Sequence, residues 1–142
     1  YTGNNLTLDN CTFVGNSPSA IHRLNVSGSI ELNNGILWDN QGRDIIDSGT
    51  TVKTTAYHCD IQDGFNVGTN GCIRLDPLFL RPEARNFSLR SASPCREAGM
   101  SLAWHEGATD LVGNPRVMPR NGVVDMGALE GMPVMSTLFL MR

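Results

Sequence analysis

The chain repeats itself at a spacing of 24 residues, and this constrains its fold more than any single motif does. Set over one another, LTLDNCTFVGN (6–16) and IELNNGILWDN (30–40) bring apolar residues together at Leu6/Ile30, Leu8/Leu32 and Phe13/Leu37. The same alignment pairs Asn10 with Asn34 and Asn16 with Asn40. A weaker third copy, VKTTAYHCDIQDG (52–64), aligns at a shift of 23, with Tyr57 opposite Asn34 and Asp63 opposite Asn40. Each copy holds two short β-favouring runs broken by Asn, Gly or Asp. Such a unit is too small to bury its own apolar side chains, so successive copies are expected to stack into a solenoid with Leu, Ile and Phe pointing inward. Asparagine tolerates left-handed backbone at a corner, and its amide reaches the equivalent amide one copy away. Asn10/Asn34 and Asn16/Asn40 are therefore read as structural ladders in preference to ligand contacts.

The 142 residues, 40% hydrophobic and 18% charged, suit one domain with a core of its own. Fifteen glycines and a single lysine, Lys53, favour turn-dense all-β structure over long helices. A net charge of −3 with scattered basic residues offers no footprint for a phosphate backbone, so no nucleic acid partner is expected. The apolar run within Ser136–Arg142 falls far short of the roughly 20 residues a membrane span needs, and reads as a last strand or packing tail. Cys11, Cys59, Cys72 and Cys95 contain no C-x-x-C pair, which removes zinc-ribbon and thioredoxin-like readings. Their pairing stays open: Cys59 with Cys72 would close a short loop, and buried reduced thiols are equally ordinary. His105-Glu106 lacks the second histidine of H-E-x-x-H, since Thr109 occupies that place. Nucleophile-elbow, Walker and dinucleotide fingerprints are absent from the sequence.

The strings NCTFVGN and NGILWDN resemble the repeats of secreted right-handed parallel β-helix proteins of the pectate-lyase-like superfamily. The second half adds HCDIQDG (58–64), IRLDPLFLRPEARNFSLRSASPCREAG (73–99) and DLVGNPRVMPRNGVVDMGALE (110–130), in that order. Together these resemble the C-terminal region of bacterial choice-of-anchor Q domain proteins. Arg96 and Glu97 depart from the usual Ile-Asp before Ala-Gly, and Leu129 replaces a common aromatic. The resemblance implies β-helix coils of about 23–24 residues over 1–72, then a final coil and C-terminal cap over 73–142 in the same domain. It also implies secretion or display at the cell surface, with upstream coils of the same polypeptide as a partner.

In that family the tail string closes the solenoid. Here Asn121-Gly122 between Val117-Met118 and Val123-Val124 predicts a β-hairpin, with Arg116 expected to pair with Asp125 or Glu130. A cation site on Asp110, Asp125 and Glu130 is the lesser reading, because the spacing of a known calcium loop is missing. Superfamily enzymes use Arg, Lys or His beside calcium, or paired carboxylates, so a site requires a cluster on one outer face. The outward candidates are Trp38, Asp39, His58, Asp60 and Asp63, an aromatic among acids that suits a polysaccharide or cell-surface glycan. A structural, adhesive or glycan-binding role without turnover is preferred for this chain. The alternative is part of a polysaccharide lyase or glycoside hydrolase, with calcium as the only cofactor considered and no metal site assigned.

Overall fold

The structure is a computed structural model that describes residues 5–24, 28–48, 54–117 and 122–131. Three strands come from the first copy of the repeat: β1 (Leu6–Asp9), β2 (Thr12–Val14) and β3 (Ser19–Arg23). The second supplies β4 (Ile30–Asn33), β5 (Ile36–Trp38) and β6 (Arg43–Asp47), and the third β7 (Thr54–Tyr57) and β8 (Asp60–Ile61). They are followed by β9 (Phe79–Arg81) and β10 (Asn86–Leu89). Helix among the described residues is confined to two single 3-10 turns, Pro82–Ala84 and Ala103–His105. The chain is thus all-β, built of small sheets.

Equivalent strands of successive copies pair in parallel, giving the sheets β1-β4-β7, β2-β5-β8 and β3-β6. The register runs Leu8↔Leu32↔Ala56 in the first and Phe13↔Leu37↔Ile61 in the second. This corrects the shift of 23 expected for the third copy: Asn33, not Asn34, lies opposite Tyr57. The residue that continues the Asn10/Asn34 corner is His58, and all three hold left-handed backbone, with φ of 48°, 56° and 48°. A histidine in a place read as asparagine hid the true phase. Both ladders form, with Asn34 Nδ2 donating to Asn10 Oδ1 at 3.3 Å and Asn16 Nδ2 to Asn40 Oδ1 at 2.9 Å.

Strand side chains alternate between faces, so each sheet has an inner and an outer surface. Leu32, Leu37, Ala56, Cys59 and Ile61 turn inward and pack with Ile21, Ile45 and Cys72 in one core. Beside Leu37, Ile36 is also buried although it faces the other way, because it sits in a second core with Phe79, Leu89, Cys95 and Met126. Ile73, Phe79, Phe87, Leu89, Cys95 and Met126 therefore form a layer against the outer face of β2-β5-β8. The antiparallel pair β9 and β10 belongs to this layer, joined through the Pro82–Ala84 turn. Gly127 N donates to Asn34 O at 2.6 Å and Ala128 N to Thr12 Oγ1 at 2.9 Å, which carries the segment back to the first and second copies. Gly127 needs to be glycine: its φ is +88°, and a Cβ there would stand 2.7 Å from Thr12 Oγ1. Residues 126–128 thus lie along the flank of the repeats. The expected Val117-to-Val124 hairpin includes 118–121, outside the described residues.

Candidate functional site

The tail motif resolves into a buried clamp. Arg116 Nη1 donates to Glu130 Oε1 at 3.0 Å and to Gly127 O at 3.1 Å, and its Nη2 to Ala128 O at 3.0 Å. Glu130 Oε2 accepts from Asp125 N, and Asp125 in turn accepts from Glu97 N and Gly131 N. Asp110 Oδ1 accepts from Val112 N and Asn114 N, while Oδ2 accepts from Glu130 N. Every oxygen of these three carboxylates already receives an N–H, so they stitch the backbone together. Burial pushes the Asp110 carboxyl up, but the backbone N–H groups of Glu130, Asn114 and Val112 with the Asn114 amide reverse this and leave it below the usual value. For Glu130 burial prevails over the Asp125 N–H and Arg116, and the carboxyl rises to about 7.

The residues singled out from the sequence are not brought together. Asp60 is fully buried beneath the second layer, where Oδ2 accepts from the Cys95 thiol and Oδ1 from Leu75 N. Its outward strand position was read correctly, but the surface assignment is overturned because residues 75–95 cover it. Burial raises its carboxyl to about 6. Trp38 packs half-buried in the same layer. His58 holds its corner with Nδ1 2.9 Å from Ala98 O, and Gly71 lies against its ring. Asp63 Oδ2 accepts from Asp44 N and Oδ1 from Phe65 N, so it shapes a turn. Asp39 is exposed, and its N–H donates to Gln62 Oε1.

A different cluster forms on the outer face of β1-β4-β7. With Leu8, Leu32 and Ala56 turned inward, the aligned row Asp9↔Asn33↔Tyr57 turns outward, and Glu31 lies on the same face two residues before Asn33. Asn33 Nδ2 donates to Asp9 Oδ1 and to Glu31 Oε1, each at 3.0 Å. These two acceptors fix the amide's orientation, and Asn33 Oδ1 is left buried without a partner. Over this row stands Trp104, 44% exposed, whose indole N–H donates to Asp9 Oδ2 at 2.9 Å.

Trp104 is positioned by its neighbour. His105 is buried with its ring 4.3 Å from that of Trp104; Nδ1 accepts from Leu102 N, so Nε2 carries the proton and donates to Asn10 Oδ1 at 2.8 Å. Burial lowers its pKa and keeps it neutral. The corner asparagines thus serve a second purpose: Asn10 holds His105 and Asp125 O, and Asn34 clamps Met100 through both amide atoms. The 24-residue register, followed outward instead of inward, would have revealed Asp9 and Asn33. Tyr57 was hidden by the one-residue error, and Trp104 by its distance along the chain.

Comparison with protein-family models, with curated proteins and with solved structures finds no match. Among the described residues no group of three or more His, Cys, Asp or Glu is arranged to hold a metal, and no helix is long and apolar enough to cross a membrane.

Proposed function

We propose that this chain is part of a secreted or cell-surface right-handed parallel β-helix protein of the pectate-lyase-like kind, and that it binds a glycan without turning it over. The solenoid reading is supported by the constant 24-residue register through three parallel sheets and by the amide ladders at two corners. In it, β1 and β2 are edge strands, suited to pairing with preceding coils of the same polypeptide. The glycan reading rests on one observation: a partly exposed indole is fixed over an amide-bridged pair of carboxylates on the outer face of β1-β4-β7. An aromatic plane beside directed hydrogen-bonding groups is the usual composition of a sugar subsite. The test is binding of the folded chain to immobilised neutral and charged polysaccharides, with Trp104→Ala as the control. Retention of at least one polysaccharide that the variant loses is expected; equal retention by both proteins would sink the assignment.

The hydrolase reading has one specific observation in its favour. Asp9 and Glu31 accept from the same Asn33 NH₂ group, which sets two carboxylates side by side, the kind of pair glycosidases use. An assay for new chain ends, run with and without calcium, separates this from binding alone. Ends that vanish in Asp9→Asn and Glu31→Gln would make the chain an enzyme.

A further inference from the structure

We infer that the glycan taken by this face bears protonated amines, as in a deacetylated amino-sugar polymer, and not uronate carboxylates. The inference rests on the glycan reading above and specifies its substrate class. The argument is one of donors and acceptors. Asn33 spends both hydrogens of its amide on Asp9 and Glu31, and Trp104 spends its single N–H on Asp9. What Asp9 and Glu31 have left to offer is acceptor, their remaining carboxylate lone pairs, with the hydroxyls of Thr7, Thr55 and Tyr57 along the same face. An ammonium group, with three donors and no acceptor, complements that set, whereas a carboxylate brings only further acceptors.

Charge points the same way. Among the described residues neither Asp9 nor Glu31 forms an ion pair, whereas Arg23–Asp47 and Arg116–Glu130 do pair elsewhere. The nearby His105 is neutral and engaged with Asn10. Two carboxylates with no ion pair among the described residues attract an amine and repel a uronate at short range. The half-exposed Trp104 ring adds a cation–π surface for an amine and a stacking plane for the pyranose that carries it.

The experiment is calorimetric titration of the whole chain with three tetrasaccharides: glucosamine, N-acetylglucosamine and galacturonic acid. Tetralysine is a fourth probe. The expected order is glucosamine tetramer first, at least about tenfold tighter than its acetylated counterpart, with galacturonate weakest. Glu31→Gln is expected to narrow the gap between the first two, and since Glu31 is exposed this variant should fold. Acetylated or galacturonate tetramer binding as tightly as the amine form overturns the charge inference and leaves the glycan reading standing. Failure of all three sugars to bind, in a chain that melts cooperatively, overturns both. Tetralysine binding equal to that of the glucosamine tetramer and unchanged by Trp104→Ala also overturns the proposal, because the face would then be a simple cation trap.

Discussion

The outer faces of two sheets built from the same repeat have opposite fates. On β2-β5-β8, Ile36 and Asp60 are sealed under a second layer that reaches back to the first copy. On β1-β4-β7, Glu31 is exposed and Trp104 leans over the row. The covered face carries the residues that looked most like motifs, and there they hold backbone to backbone. The open face carries less conspicuous residues arranged with unspent hydrogen-bonding capacity. Dense local signal therefore marks where the chain is held together, and spare capacity marks where it can meet something else.

Removing part of the clamp should test the covered face most severely. Arg116→Met removes the donor to Glu130 Oε1 and to the carbonyls of Gly127 and Ala128. A loss of about 3–5 kcal/mol in urea unfolding is expected. A loss below about 1 kcal/mol would mean that the clamp is ornamental to stability. Next, Ile36→Ala and Leu37→Ala probe opposite faces of one strand, both essentially inaccessible. Each should cost about 2–5 kcal/mol. A much smaller loss for Ile36→Ala would show that the outer layer is not a true core.

Acid and base should separate the clamp from the support of Trp104, because the two groups concerned shift in opposite senses. The Glu130 carboxyl rises from 4.5 to about 7 on folding, so the folded state holds the extra proton between those values. Its contribution is present below pH 4.5 and is lost as pH rises toward 7. Asp60, raised to about 6, adds the same sign over a lower window. His105 is lowered from 6.5, so the unfolded chain takes up the proton first and stability falls as pH drops below that value. Melting temperatures of wild type and Glu130→Gln across pH 4.5–7 check this, with a shallower decline toward pH 7 expected in the variant. An unchanged slope would remove Glu130 as its source.

The sequence carried the architecture further than the site. A period of 24 residues is set by backbone pairing and by apolar positions that recur in two good copies, so strands β1, β2, β4 and β5 were legible from Leu, Ile and Phe, while the third strand of each copy, β3 and β6, lies outside the two runs read per copy. The third copy slipped because left-handed backbone, not asparagine itself, defines the corner, and His58 satisfies that requirement without looking the part. Asp60 shows the other limit: alternation tells which way a side chain leaves its sheet but not whether a later segment returns to cover it. Trp104 meets Asp9 through a hydrogen bond that no local pattern announces.

The gentlest substitution is the most informative about the open face. Trp104→Ala removes a ring that is 44% exposed and one hydrogen bond to Asp9. Its neighbour His105 supplies the buried anchor to Asn10, so the 103–105 turn keeps its main tether. The expected cost is about 1 kcal/mol or less, set against a loss of glycan binding in the titrations above. Stability and binding would then lie on different faces of the same repeat. A cost of about 3 kcal/mol or more would instead place Trp104 with Ile36 among the residues that hold the layers together, and its indole would owe its position to packing.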